Sequence, residues 1–117
     1  MAIFKRQVTM AAGGVEVNAL AGSKFEFLSR PSVVTVWATQ SIAGDDLEID
    51  LTLGNVVVAE DINPNFDSVD ILMVDRSRDL IGSGVGDAGD RIQLRIRNTD
   101  AVATPVCTVL VEISELA

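Results

Sequence analysis

Hydrophobic and polar residues alternate along most of the chain, and this two-residue period is the pattern of half-buried β-strands. The clearest alternation covers residues 47–53 and 56–62, which are separated by Gly54-Asn55. Such a pair between two alternating runs is typical of a two-residue hairpin turn, because glycine adopts the positive φ that the turn needs. We therefore predict a hairpin with one almost wholly apolar face, whose facing pairs are Leu53–Val56, Leu51–Val58, Ile49–Glu60 and Leu47–Ile62.

The same pattern, with turn residues between the runs, predicts further strands over most of the chain. The glycine-rich residues 82–89 are interpreted as a loop, and no apolar pattern with helical spacing persists for three turns. This predicts one all-β domain over residues 1–117, a two-sheet antiparallel sandwich of jelly-roll or related Greek-key type. An immunoglobulin-like sandwich is the alternative. The further strands are predicted at residues 3–10, 15–20, 24–29, 32–39, 69–74, 78–82, 90–97 and 105–114.

Two of these strands are apolar on both faces, which is unusual in a sandwich whose outer faces meet water. They contain the segments 33–38 and 71–74. Some other part of the assembly should cover the second face, and we expect a neighbouring subunit, with loops of the same chain as the alternative. This assigns Val34, Val36 and Trp37 to a protein interface and predicts a homo-oligomer.

Composition excludes most catalytic chemistry. The 117 residues include no histidine, no tyrosine and one cysteine, Cys107, which lies in an alternating apolar run and is expected to be a buried, inert thiol. Without histidine, an activated nucleophile or a histidine-ligated metal has no obvious residues. We expect no enzyme activity, no cofactor and no resident metal.

The chain is acidic, with a formal net charge of −8, and the charge is uneven: residues 1–44 carry a net +2 and the remainder −10. An acidic surface does not release counterions from nucleic acid, so we expect no nucleic-acid partner. No apolar run approaches the length of a membrane helix and no secretory signal is evident, so we expect no membrane partner and synthesis in the cytoplasm. Charge asymmetry of this kind can orient like molecules head to tail.

Two motifs suggest ligands but lack the context that those ligands need. Residues 84–89 match the spacing GxGxxG, yet a strand follows where a dinucleotide site requires a helix. Asp75, Asp79, Asp87 and Asp90 could supply oxygen ligands to calcium, but they lack the spacing of a calcium-binding loop. We interpret both as ordinary loop sequence.

Arg91, Arg95 and Arg97 form the one dense basic feature, because alternation places all three on the same side of one strand. They could contact acidic groups of a partner subunit. The alternative, which we favour, is pairing with Glu112 or other carboxylates of the same sheet.

In general pattern the chain resembles the small single-jelly-roll virion proteins of bacteriophages, which serve as minor capsid, cement or decoration subunits. The resemblance lies in the sequence of short strands over the whole chain and includes no diagnostic motif. It implies a structural role in a virion, through contacts with subunits of the same assembly. A carbohydrate-binding β-sandwich module is the alternative, although such modules present several exposed aromatic residues and this chain has one tryptophan and four phenylalanines.

Overall fold

Nine β-strands make up the regular structure in the computed structural model, which describes residues 1–67 and 74–116. No described segment forms a helix, and the described residues therefore include no helix that could cross a membrane. The strands are β1 (Ala2–Thr9), β2 (Val15–Glu16), β3 (Ser32–Gln40), β4 (Leu47–Leu53), β5 (Val56–Ile62), β6 (Asn65–Phe66), β7 (Leu80–Gly86), β8 (Ile92–Asn98) and β9 (Val106–Glu115).

Eight of these strands pair like one long hairpin whose tip is Gly54-Asn55. Moving out from the tip, β4 pairs with β5, β3 with β7, β2 with β8 and β1 with β9, all antiparallel. The folded hairpin wraps into two sheets, because β9 also pairs with β3 and β8 also pairs with β4. One sheet has the order β1-β9-β3-β7, with β6 beside the end of β3, and the other has the order β2-β8-β4-β5. This wrapped pairing is a jelly roll, so the predicted fold class is confirmed.

The inward-facing rows of the two sheets form one hydrophobic core. The strands predicted at 90–97 and 105–114 form as β8 and β9, and their alternate apolar residues belong to these rows. Their inward members are buried, and they pack against Leu47, Ile49, Leu51 and Leu53 from β4. The inward members of β8 and β9 are Ile92, Leu94, Ile96, Cys107, Val109, Val111 and Ile113.

The hairpin forms where the Gly-Asn pair predicts it, but its register changes along the strands. Leu53 pairs with Val56 as expected, whereas Leu51 pairs with Ala59, not Val58, after a register shift. A second shift brings Ile49 opposite Ile62, so the predicted pairings beyond the turn are wrong. Strict alternation cannot reveal such bulges, because each one adds a residue to one strand only.

The second register shift coincides with a charged cluster on the outer face of the sheet. Asp61 has a φ of 54°, and its backbone N–H donates to Asp50 Oδ1 over 2.8 Å. The side chain of Asp61 then accepts a hydrogen bond from Arg97. The bulge therefore interrupts the regular pairing of β4 with β5 and places the Asp61 carboxylate beside Arg97.

The predicted strand at 15–20 ends after Glu16, because a buried side chain replaces the strand ladder. Asn18 Oδ1 accepts from the backbone N–H groups of Leu20 and Leu94 at 3.0 and 3.1 Å. Its Nδ2 donates to the carbonyl of Ile92 at 3.0 Å. One asparagine thus satisfies three backbone groups that a longer strand would have paired.

The predicted strand at 24–29 is a turn-rich segment with a single bridge from Phe27 to Arg91. Its backbone is held instead by Leu28 N–H donating to the Asp90 carbonyl and by Ile92 N–H donating to the Glu26 carbonyl. Phe25 packs on the core while Phe27 points to solvent, so these two alternate residues do not share one face as they would in a strand.

The predicted strand at 78–82 begins and ends later than expected, because residues 80–86 of the glycine-rich segment form β7. The glycines allow β7 to pack closely on its neighbours. A Cβ at Gly84 would lie 2.9 Å from Val58 Cγ2, and one at Gly86 would lie 2.5 Å from Leu28 Cδ1. Glycine here marks a close approach and not a loop. The predicted strand at 69–74 lies outside the described residues, apart from Val74.

Leu51→Asp should destabilise the domain by roughly 3–5 kcal/mol, because Leu51 is fully buried and an unpaired carboxylate would replace it in the core. Thr52→Asp is the matched control, since Thr52 faces outward on the same strand, and it should cost about 1 kcal/mol or less. Urea unfolding of the two variants measures the difference. Similar stabilities for both would contradict the inward orientation of Leu51.

Candidate interaction surface

The outer face of the β2-β8-β4-β5 sheet carries the three predicted interface arginines, and they differ in their surroundings. Arg97 Nη2 lies 3.2 Å from Glu48 Oε2 and 3.3 Å from Asp50 Oδ1, and it also donates to Asp61. The hydrogen bond with Asp61 is the main cause that raises the pKa of Arg97, with the charges of the other two carboxylates acting in the same direction. Arg97 therefore neutralises carboxylates of its own sheet.

Arg91 also forms an ion pair within the chain. Its Nε donates to Glu26 Oε2 over 2.8 Å, while Glu26 Oε1 accepts from the backbone N–H of Gly22 over 2.9 Å. The Gly22 hydrogen bond is the main cause that lowers the pKa of Glu26, and Arg91 adds to it, whereas burial opposes it. This ion pair fixes the turn-rich segment against the start of β8.

Arg95 is exposed and, unlike Arg91 and Arg97, has no ion pair within the described part of the chain. It faces Asp50 across the β4–β8 ladder, but within residues 1–67 and 74–116 no carboxylate lies within ion-pair distance of it. The basic stripe thus consists of two arginines paired within the chain and one available to a partner. The predicted pairing with Glu112 is wrong, since Glu112 lies in the other sheet and its Oε2 is 2.8 Å from Arg76 Nη1.

The apolar residues assigned to an interface lie in β3, but little or none of their surface is exposed. Val34 and Val36 are fully buried in the core, so they have no surface for a partner. Trp37 faces outward but is only 7% exposed. Its Nε1 donates to the carbonyl of Arg76 over 2.9 Å, and the Arg76 guanidinium lies 5.1 Å from the ring centroid.

A loop of the same chain therefore covers Trp37, in place of the neighbouring subunit that the sequence analysis favoured. Arg76 also forms its ion pair with Glu112, so one arginine joins the loop to β3 and β9. The other segment with two apolar faces, 71–74, lies outside the described residues apart from Val74.

Many exposed apolar side chains lie instead at the two ends of the sandwich, while Ile3, Val15 and Val17 lie in or beside β1 and β2. We call the end that carries the Gly54-Asn55 turn the hairpin end. It also carries the end of β7, since the Asp90 side chain lies next to both Gly54 and Gly86. Ser32 of β3 pairs with both Gly86 and Glu115, and Ala2 pairs with Ile113, so the end of β9 and the start of β1 lie there too. The exposed apolar residues at this end include Met1, Phe27, Val56, Val85 and Leu116, and those at the opposite end include Ile42, Phe66 and Val102.

A groove of about 250 Å³ opens at the hairpin end. Phe25 lines it and packs against Phe4 in a T-shaped arrangement, with ring centroids 6.0 Å apart. Lys24 Nζ lies 5.2 Å from the Phe25 centroid. Arg30 Nη1 lies 3.8 Å from Oε2 of Glu115, which lines the groove. The residues that line the groove are Ala2, Lys24, Phe25, Phe27, Leu28, Ser29, Ser32, Ile113 and Glu115.

The sequence analysis missed this groove because it interpreted residues 24–29 as a strand. The available signal was two phenylalanines at alternate positions in a chain with only four. In a sandwich strand one alternate row points inward. Here Phe27 is 58% exposed, although Phe25 is half-buried and both line the groove.

The two ligand motifs do not form sites in the described structure. Asp75 and Asp79 precede β7, whereas Asp87 and Asp90 follow it, so the four carboxylates do not converge. Within the described ranges no three His, Cys, Asp or Glu side chains are grouped to hold a metal ion. Gly84 and Gly86 belong to β7 and not to the loop that was expected, and the next element is strand β8, whereas a dinucleotide site requires a helix.

Comparison with known proteins matches no family model, and no curated protein matches the sequence. The proposal for its function therefore rests on the surface of the chain itself.

Glu26→Gln should destabilise the fold at neutral pH and cease to do so in acid. A carboxyl whose folded pKa lies below the ordinary 4.5 stabilises the fold above that pH, and this contribution is lost as the pH falls through the lowered value. The difference in Tm between wild type and Glu26→Gln should therefore be largest near pH 7 and should shrink progressively as the pH falls below the ordinary 4.5. Glu60→Gln, at an exposed glutamate of β5, is the control and should melt like wild type throughout this pH range. A constant difference across this range would contradict the Glu26–Arg91 ion pair.

Proposed function

We propose that the chain is a structural assembly protein that acts through protein–protein contacts. In its specific form, the proposal is a virion subunit with a capsid, cement or decoration role. The jelly roll is compatible with this role, since the architecture occurs in viral capsid proteins, but it also occurs in lectins and enzymes. The proposal therefore rests on the surface and not on the fold.

The observation that carries the proposal is the exposure of large apolar side chains at both ends of the sandwich. A domain of this size buries its apolar residues efficiently where it can, and contiguous exposed patches mark interaction sites. The hairpin end combines five such residues with an apolar groove. Two apolar ends on one subunit suit a repeating contact, in which each copy touches a neighbour on either side.

The carbohydrate-binding alternative requires aromatic faces that a sugar ring can stack on. Trp37 does not offer one, because Arg76 covers its ring. Phe27 and Phe66 are exposed, but Phe27 bridges to the start of β8 at the hairpin end while Phe66 pairs with Gln40 at the opposite end. Two aromatic residues so far apart do not form a common platform, which favours the assembly role.

The purified chain should associate in solution, because isolation would leave both apolar ends in water. Sedimentation equilibrium over a range of concentrations measures this against the monomer mass of 12.4 kDa. A 12.4 kDa species that persists at high concentration would contradict self-assembly. Binding of such a monomer to a polysaccharide would then support the carbohydrate-binding alternative.

Arg95→Ser should weaken association without changing thermal stability, because Arg95 has no described ion-pair partner within the chain and an exposed charge contributes little to folding. Its contribution should also decrease with added salt, since the Debye length is about 8 Å at physiological ionic strength. Gln93→Ser, two residues along the same outward row, is the matched control. Equal association of wild type and Arg95→Ser would show that the arginines of β8 serve only their own sheet.

A further inference from the structure

Among the described residues, the most exposed large apolar side chain is that of Val102, at 86%. It lies in the loop of residues 99–105 between β8 and β9, which we call the Val102 loop. Val102 therefore contributes no buried surface to the core. Contact with another molecule would remove its apolar surface from water and so favour association.

The Val102 loop is held in one conformation by side-chain hydrogen bonds. Asp100 Oδ1 accepts from the backbone N–H groups of Val102 and Ala103, over 2.8 and 3.1 Å. Asn98 Nδ2 donates to the Ala103 carbonyl over 2.9 Å, and Thr99 N–H donates to the Asp46 carbonyl over 2.9 Å. A preordered loop loses little conformational entropy on binding, so Val102 is presented as a fixed knob.

The surroundings of this knob are acidic. Segments 41–46 and 98–106 contain three aspartates, Asp45, Asp46 and Asp100, and no lysine or arginine. Burial and the nearby charges of Asp100 and Asp45 raise the pKa of Asp46, as expected where carboxylates are crowded. A partner for the Val102 loop should therefore combine an apolar recess with cations.

The groove at the hairpin end has this combination. Its walls include Phe25, Phe27 and Leu28, and its rim carries Lys24. Within the described part of the chain Lys24 has no carboxylate within ion-pair distance, and Arg30 meets Glu115 only at 3.8 Å with both side chains largely exposed. An acidic loop with an apolar tip is complementary to this groove in both charge and polarity.

The groove and the loop of one chain cannot meet each other. Ala2 and Ile113, which line the groove, face each other at one end of the β1–β9 ladder, and the loop precedes Val106 at the other end. The ten residues of β9 separate the two ends by roughly 30 Å. Only a second molecule can bring the two features together.

We propose that the groove at the hairpin end of one copy receives the Val102 loop of a second copy, so that subunits join head to tail. This inference rests on the proposed assembly function and gives it a defined contact. Because the two surfaces differ, the contact is heterologous, and repetition closes a ring or extends a filament.

Disulfide trapping between two single variants tests the contact. One variant carries Val102→Cys and the other carries Ser29→Cys, at an exposed serine of the groove, with tags of different size. Under mild oxidation the mixture should yield a disulfide between the two variants. Burial raises the pKa of the native Cys107 thiol to about 12, so this cysteine does not compete.

The control replaces Ser29→Cys with Ser83→Cys, an exposed serine on the outer face of β7 and away from the groove. The Val102–Ser29 pair should cross-link at least about tenfold faster than the Val102–Ser83 pair, since disulfides form only between cysteines whose Cα atoms approach within about 7 Å. Equal rates overturn the inference. A dominant disulfide between two Val102→Cys chains also overturns it, because that product indicates a symmetric contact.

Association measurements separate this inference from the proposed function. Val102→Ser and Phe27→Ser should each weaken association about tenfold, whereas Val17→Ser, at another exposed valine, should leave it unchanged. If wild type associates but Val102→Ser and Phe27→Ser associate equally well, the head-to-tail contact is wrong and assembly by another surface stands. If wild type is a monomer at all concentrations, both proposals fail.

Discussion

Burial of the inward rows of β8 and β9 between the two sheets is the constraint on which the rest of the structure depends. Each of these strands lies between two neighbours, β8 between β2 and β4, and β9 between β1 and β3. Their inward side chains are therefore enclosed from the sides as well as from the facing sheet. Because the two strands occupy the interior of their sheets, every other strand is positioned by pairing with them or with β3 and β4.

The sequence predicts this much because period-two alternation survives wherever a strand is buried on one side and regular in register. It predicted β8, β9 and the Gly-Asn turn, and it fails where side chains replace backbone pairing. Asn18 satisfies three backbone groups and so ends β2 after two residues, and nothing in a pattern of polar and apolar residues distinguishes that asparagine from a solvated one. Likewise, the sequence does not distinguish Gly84 and Gly86, which allow Val58 and Leu28 to pack closely on β7, from the glycines of a loop.

The candidate surface could be predicted less well than the fold, for a related reason. Alternation identifies which residues share a face, but not which ionic partners the other strands bring to that face. Arg91, at the start of β8, and Arg95 and Arg97 within it lie on the outer side of the sheet, as predicted. Carboxylates of β4 and β5 nevertheless enclose Arg97, and Glu26 pairs with Arg91. Trp37 is outward by register, yet the loop containing Arg76 covers it. Both outcomes depend on contacts between segments far apart in sequence.

The uneven charge along the chain acquires a spatial meaning once the jelly roll is formed. The groove is built largely from residues of the less acidic first 44, including Lys24 and Phe25, while the Val102 loop and its aspartates belong to the strongly acidic remainder. A net charge of −8 makes copies repel one another in most orientations. The orientation that places an acidic end against the cations of the groove is the one in which this repulsion is reduced locally. In the proposed head-to-tail contact, charge selects the direction of association, and the apolar contact between Val102 and the groove supplies its strength.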